Sequence, residues 1–213
     1  MAGRVRIKIC GLMRPEDILY VNRVQPDFAG FILAEGRKRT LNREQAKELA
    51  SGLAPGILKT GVFVNQDPGW IADTVRLTGL DAVQLHGDET EKEIFKLREL
   101  LDLGAGRNCR IVRAYRVEGP DDIRRAEESC ADLVLLDHGA GGSGKAFDWS
   151  LAGQLKRFFF LAGGLNAENA AEAIRRVKPW AVDVSSGVET RGKKDPEKIK
   201  KFVEAVRNCT GVL

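Results

Sequence analysis

Short apolar segments alternate with amphipathic helical patterns along almost all of the chain, and this alternation constrains the fold more than any other feature. Strands that alternate with helices build a parallel sheet, and eight such units favour a closed barrel over an open, doubly wound sheet. The sequence therefore predicts an α/β protein, a single-domain (β/α)8 TIM barrel that covers residues 1–213. The predicted strands cover 5–10, 28–33, 58–64, 82–86, 110–115, 133–137, 158–162 and 181–185, and the predicted helices 15–24, 42–52, 68–78, 89–101, 120–130, 167–178 and 196–208.

Prolines and capping residues mark several of the predicted helix starts. Proline fits the first turn because the N–H that it lacks would be unpaired there, and Asp or Asn side chains accept exposed N–H groups at helix starts. The segment between 138 and 157 is an exception, since it holds a glycine-rich loop and at most a short helix around 150–155. The prolines are Pro15, Pro68, Pro120 and Pro196, and the capping candidates are Asp17, Asn42, Asp67 and Asp195.

Strand alternation places reactive side chains inside the predicted barrel, at the carboxyl end where active sites of such barrels lie. The more apolar face of the first strand points to the helices, so Lys8 and Cys10 point inward and Cys10 ends the strand. Asp137 ends the sixth strand in the same way, and Asp183 and Ser185 point inward in the eighth. Because a buried lysine needs a partner and strands one and eight are neighbours in a closed barrel, we predict a Lys8–Asp183 ion pair.

The composition narrows the possible functions. The net charge of +4 is spread along the chain without a basic and aromatic stripe, which favours an anionic small-molecule substrate over nucleic acid. No apolar run is long enough to span a membrane and no signal-peptide pattern precedes the first strand, so we expect a cytoplasmic protein.

The four cysteines show no CxxC spacing, which predicts neither a metal site nor a disulfide. Cys10 is then either a packing residue of the core or a reactive thiol.

Two glycine-rich turns follow the last two predicted strands, at 161–169 and 182–190. Loops after strands seven and eight form the usual phosphate site of this fold, and glycine lets backbone N–H groups approach an anion closely. The alternative is a pair of ordinary tight turns. The pairing favours a phosphate site, with Gly163, Gly164, Ser185 and Ser186 as donors.

Other charged residues allow both a functional and a structural interpretation. Arg37, Lys38 and Arg39 follow the second strand, either as a solvated run or as an arginine fork for a carboxylate. His86 ends the fourth strand at the mouth, as a structural or a ligand-binding histidine. The glycine-rich loop after Asp137 contains a second candidate, His138, and is typical of a lid that excludes water.

The segments KICG, GVFVN, AVQLHGDE, GGSGKAFDW, LAGGLNAENA and AVDVSSGVET follow one another in this order. Together they resemble the phosphoribosylanthranilate isomerase family of tryptophan biosynthesis, over nearly the whole chain. The resemblance implies a (β/α)8 barrel that performs an Amadori rearrangement on an anionic phosphosugar without cofactor or metal. It leaves open whether the chain is a monomer or a homodimer.

The resemblance also implies roles for individual residues. The family's general base falls on Cys10, its general acid on Asp137 and its carboxylate-binding arginine on Arg39. Arg37 stands where the family commonly has a serine, so which of the two arginines holds the carboxylate stays open. The remaining substrate-binding candidates are His86, Gly163, Gly164, Asp183, Ser185 and Ser186. The non-enzymatic alternative, a phosphosugar-binding barrel, would require Cys10 or Asp137 to be missing.

Overall fold

The computed structural model describes residues 4–104, 108–137 and 149–209. Eight parallel strands close into a barrel in chain order, and the first strand pairs with the last. This confirms the predicted (β/α)8 barrel. The strands are β1 (Arg6–Cys10), β2 (Phe28–Ile32), β3 (Leu58–Phe63), β4 (Ala82–Leu85), β5 (Arg110–Arg116), β6 (Leu133–Asp137), β7 (Phe159–Ala162) and β8 (Ala181–Val184).

Helices follow the strands and surround the barrel. Two of them, at 15–24 and 68–78, have the predicted boundaries, and none in the described part of the chain has the length and apolarity to cross a bilayer. The helices are α1 (Pro15–Val24), α2 (Arg43–Ser51), α3 (Pro68–Thr78), α4 (Glu91–Asp102), α5 (Pro120–Glu128), α6 (Trp149–Ala152), α7 (Ala170–Val177) and α8 (Pro196–Arg207).

Most predicted helix starts are confirmed, because Asn42, Asp67 and Asp195 accept backbone N–H groups as N-caps and the four prolines open their helices. Asp17 is different. It lies in the third position of α1, where its carboxylate accepts the N–H groups of Met13 and Arg14 at 3.0 and 3.1 Å. Asp17 therefore caps the helix start from inside the first turn, as the third residue of a capping box, and is not the N-cap itself.

Helix α7 begins at Ala170, three residues later than predicted. The side-chain oxygen of Asn166 accepts the N–H groups of Glu168 and Asn169 at 2.9 and 3.0 Å. Such Asn turns compete with helical hydrogen bonds, because the side chain takes the place of a backbone acceptor. The segment after β7 is thus a compact turn rather than the first turn of the helix.

A short hairpin after β8 was not predicted. One turn of 3-10 helix (Ser186–Val188) leads into two antiparallel strands, β9 (Glu189–Thr190) and β10 (Lys193–Lys194). The turn between them contains Arg191 and Gly192 at φ of 52° and 76°, and two positive φ values are typical of tight hairpin turns. The hairpin lies between the barrel and α8, at the carboxyl end of β8.

Apolar side chains pack in two layers, as the strand alternation predicts. Ile7, Ile9, Val134 and Val182 point outward into the large cluster between strands and helices. A smaller cluster fills the interior towards the amino ends of the strands. It contains Phe28, Val112, Ala114, Leu133, Leu135, Phe160, Ala162 and Ala181, with Trp180 packed against it. Side chains therefore fill the interior at the amino ends of the strands, and the space for a ligand lies at the carboxyl ends.

Candidate active site

A cavity of about 410 Å³ opens at the carboxyl ends of the strands, which is a usual size for a small-molecule site. Nine residues predicted for the site line it. These residues are Cys10, Arg39, His86, Asp137, Gly163, Gly164, Asp183, Ser185 and Ser186. Arg37 and Lys38 also line the cavity, so the structure leaves both arginines of the predicted fork within reach of a ligand.

Cys10 lies at the end of β1, on the wall of the cavity, and is 6% exposed. Gly30 is its partner residue on β2. A Cβ atom on Gly30 would lie 2.8 Å from the Cys10 sulfur and 3.0 Å from its Cα, closer than packed atoms approach. The thiol therefore occupies space that only a glycine on the neighbouring strand leaves open.

Lys8 and Asp183 form the predicted ion pair beneath Cys10. The Lys8 Nζ lies 3.1 Å from both carboxylate oxygens, and the lysine side chain is only 1% exposed. Burial alone lowers the pKa of Lys8, but attraction to Asp183 and to Cys10 outweighs burial and raises this pKa above its ordinary value. The lysine thus stays charged inside the barrel, because its partners replace the water that it has lost.

The pKa of Cys10 is set by two opposing effects. Burial raises the pKa of the thiol, whereas the charge of Lys8 lowers it, and burial is the larger effect. Lys8 therefore favours the thiolate but does not bring the pKa of Cys10 below its ordinary value. In the free protein the neutral thiol is the dominant form at pH 7.

His86 connects the fourth strand to the sixth across the cavity. Its Nε2 lies 3.2 Å from Oδ2 of Asp137, and its Nδ1 lies 2.8 Å from the side-chain nitrogen of Gln84. Gln84 is 1% exposed and sits on the same inward face of the strand. The His86 ring is thus held between the Gln84 amide at Nδ1 and the Asp137 carboxyl group at Nε2.

The two glycine-rich turns lie side by side at one end of the cavity. Gly163 and Gly164 have φ values of 92° and 65°, a backbone region that favours glycine. A Cβ on Gly187 would lie 1.9 Å from the carbonyl oxygen of Leu165, so the turn after β8 touches the turn after β7 through a glycine. This close contact brings the predicted phosphate-binding donors of both turns to one place.

Arg39 also lines the cavity. One terminal nitrogen, Nη2, contacts Oε2 of Glu189 at 2.7 Å, and the side chain is 22% exposed. Arg37, by contrast, is exposed in the turn that precedes Thr40. The structure therefore separates the two arginines of the predicted fork by burial and by pairing, with Arg39 the more firmly held.

The glycine-rich loop at 138–148, including His138 and the predicted lid, lies outside the described residues. The four cysteines are free thiols, and no group of three or more His, Cys, Asp or Glu side chains within the described ranges is placed to hold a metal ion.

A family model described as "N-(5'phosphoribosyl)anthranilate (PRA) isomerase" matches residues 7–205. The chain belongs to this isomerase family. A phosphoribosylanthranilate isomerase of Acetivibrio thermocellus is 46% identical over 212 residues, which cover 96% of this chain and 97% of the relative. One of Caldanaerobacter subterraneus subsp. tengcongensis is 42% identical over 209 residues, which cover 95% and 98%. The resemblance seen in the sequence motifs is thus confirmed.

Solved structures of phosphoribosylanthranilate isomerases have the same fold. The enzyme from Thermotoga maritima is 38% identical, with a TM-score of 0.84 over 96% of this chain and 99% of that one. Another, 37% identical with a TM-score of 0.82 and the same coverage, was solved in complex with reduced 1-(o-carboxyphenylamino)-1-deoxyribulose 5-phosphate.

Four residues that line this cavity or support its walls were not identified from sequence: Gly30, Gln84, Glu189 and Lys194. Strand alternation predicts the orientation of Gln84, because Val83 and Leu85 point outward and the residue between them must point inward. Lys194 belongs to a short run of charged residues, a pattern typical of exposed loops, yet its side chain is 1% exposed. Gly30 and Glu189 depend on the register of β1 with β2 and on the unpredicted hairpin.

Proposed function

We propose that this chain converts N-(5'-phosphoribosyl)anthranilate into 1-(2-carboxyphenylamino)-1-deoxyribulose 5-phosphate in tryptophan biosynthesis, by an Amadori rearrangement that needs no cofactor or metal. The observation that carries the proposal is the placement of Cys10 and Asp137 on different walls of one cavity. Strands β1 and β6 supply them, and the two glycine-rich turns and Arg39 line the same space. A substrate with a phosphate at one end and a carboxylate at the other fits these groups.

Asp137 acts as the general acid in this proposal. It gives a proton to the ring oxygen of the ribose, the bond between C1' and that oxygen breaks, and the amine lone pair forms an iminium at C1'. The His86 ring contacts Oδ2 of Asp137 through Nε2 at 3.2 Å. Gln84 and His86 thus orient the acid towards the sugar.

Cys10 acts as the general base. Its thiolate removes the proton from C2', which leaves an enolamine, and loss of the C2' hydroxyl proton with protonation of C1' gives the ketone. The product is an isomer of the substrate, so the step needs no external oxidant or reductant. Only the thiolate is a base, and Lys8 is the nearby cation that favours it against the effect of burial.

The direct test follows the fluorescence of freshly prepared phosphoribosylanthranilate after the purified protein is added, with and without a chelator. We expect rapid loss of the anthranilate signal beyond the rate of a protein-free control, and the same rate in chelator. No acceleration over the control would refute the proposed activity, and inhibition by chelator would refute the metal-free mechanism.

Arg39→Ala is expected to raise KM and to change kcat little, because the arginine contacts the substrate carboxylate away from the reacting carbons. Loss of one partner of a buried charge pair weakens binding by at least about 2 kcal/mol, which corresponds to a roughly thirtyfold increase in KM. Steady-state kinetics measure the effects on KM and on kcat separately. Arg37→Ala is the matched control and should leave KM near the wild-type value; the reverse pattern would move the carboxylate to Arg37.

Gly30→Ala is expected to lower kcat/KM by about a hundredfold, because the new methyl group displaces the Cys10 thiol and a shift of about 1 Å in a reacting group costs that much. Ala29→Gly, a change of the outward-facing neighbour, serves as the control for altered strand packing. Kinetics at saturating and limiting substrate, together with thermal unfolding, separate the two effects. Full activity of a folded Gly30→Ala protein would show that the thiol position is not critical.

A further inference from the structure

A buried carboxylate joins two cations behind the edge of the cavity. Oε2 of Glu189 accepts a hydrogen bond from Arg39 and Oε1 accepts one from the Nζ of Lys194, each at 2.7 Å. The Glu189 side chain is 6% exposed and that of Lys194 is 1% exposed. Charge-assisted bonds of this length are strong when they are shielded from water, so the three side chains form one rigid unit.

The hairpin holds Glu189 and Lys194 opposite each other. The two residues are register partners across β9 and β10. Lys194 also donates to the carbonyl oxygen of Ser185 at 2.9 Å, and the Nζ of Lys198 donates to the carbonyl oxygen of Glu189 at 2.7 Å. The hairpin is thus tied both to the turn that follows β8 and to α8.

We propose that Glu189 is a positioning residue that holds the Arg39 guanidinium in the orientation needed to bind the carboxylate of the substrate. This inference rests on the proposed function. Lys194 fixes Glu189 and, through the Ser185 carbonyl, ties it to the phosphate-binding turn. The hairpin therefore links Arg39 to the turn that follows β8.

The charge count supports a positioning role over competition with the substrate. One carboxylate lies between two cations, so the trio keeps a net charge of +1 at the edge of the cavity. The pair with Glu189 uses Nη2, and an arginine has further N–H donors in a fixed fork that suit a second carboxylate. The aliphatic part of Arg39 is confined as well, because a Cβ on Gly11 would lie 2.6 Å from its Cδ.

The test compares two ligands that differ only in the carboxylate. One is reduced 1-(o-carboxyphenylamino)-1-deoxyribulose 5-phosphate, and the other is the same compound made from aniline. The ratio of their dissociation constants, measured by calorimetry, reports the carboxylate contact and cancels general effects on the fold or on phosphate binding. We expect wild-type protein to favour the carboxylated ligand by about ten- to a hundredfold.

Glu189→Gln should reduce that preference at least tenfold, as Arg39→Ala does, and should have no further effect on the preference in an Arg39→Ala background. Glu204→Gln, a loss of the same charge on the exposed face of α8, is the matched control and should keep the wild-type preference. Because Glu189→Gln leaves Lys194 buried without its carboxylate, the double variant Glu189→Gln with Lys194→Met repeats the test with both charges removed.

The outcomes separate the two proposals. Tighter binding of the carboxylated ligand by Glu189→Gln would show that Glu189 competes for Arg39, and an unchanged preference in the single and double variants would show that it does not position Arg39. Either result overturns this inference and leaves the proposed function standing. A wild-type protein without any preference would refute the carboxylate site of the proposed function and this inference with it.

Discussion

Serine in place of Cys10 is expected to lower kcat by about 10²- to 10⁴-fold, the range that one general base supplies. The hydroxyl is smaller than the thiol and fits over Gly30, so the cavity keeps its shape. A serine hydroxyl does not form an anion near neutral pH, however, so no base remains to take the C2' proton. Single-turnover kinetics with phosphoribosylanthranilate measure the chemical step, and equilibrium binding of the reduced product analogue should stay within a few-fold of wild type.

Cys109→Ser is the matched control, since Cys109 is also a buried thiol but lies at the amino end of β5, away from the cavity. Burial raises the pKa of Cys109 to about 12, so that thiol stays neutral, and its replacement should keep kcat. Near-normal turnover by Cys10→Ser would remove the cysteine from the proposed base role.

Asparagine in place of Asp137 is expected to lower kcat to a similar extent, about 10²- to 10⁴-fold. The amide has nearly the shape of the carboxyl group and can still pair with Nε2 of His86, so the geometry of the site is kept. It has no acidic proton to give to the ring oxygen, and the furanose opens only at its slow uncatalysed rate. Rapid mixing with substrate measures ring opening and proton transfer together.

Asp88→Asn is the control for the loss of a carboxylate near the same edge of the barrel, because Asp88 is exposed and follows His86 by two residues. It should retain wild-type turnover. If Asp137→Asn retained turnover and bound the product analogue normally, another group would have to protonate the ring oxygen, and the assignment of the acid would be wrong.

The inward-facing residues of the barrel could be predicted because two simple rules determine them. Alternation along a strand assigns each side chain to a face, and closure in chain order makes β1 the neighbour of β8. These rules were enough to place Lys8 against Asp183 and to put Cys10 and Asp137 at the same mouth. The same rules applied to β4 would have identified Gln84.

The hairpin residues follow no such rule. Glu189 and Lys194 belong to a polar segment, 189–194, that on its own is typical of a solvated loop. Their burial depends on how that segment packs between Arg39, the turn at Ser185 and α8, and contacts between elements distant in sequence leave no periodic pattern. The direction of the Cys10 pKa shift could not be predicted from sequence either, because it depends on how fully the barrel excludes water from the thiol.

The charged pair between the first and the last barrel strands has a consequence for biosynthesis. Lys8 and Asp183 are 175 residues apart, and the Ser185 hydroxyl donates to the carbonyl oxygen of Cys10 at 3.0 Å across the same seam. A nascent chain that has not yet emerged past residue 183 leaves Lys8 without its counter-ion and Cys10 beside an open strand edge. Formation of the Lys8–Asp183 pair beneath Cys10 and closure of the barrel therefore occur together, late in synthesis, and a chain truncated before residue 183 would lack both.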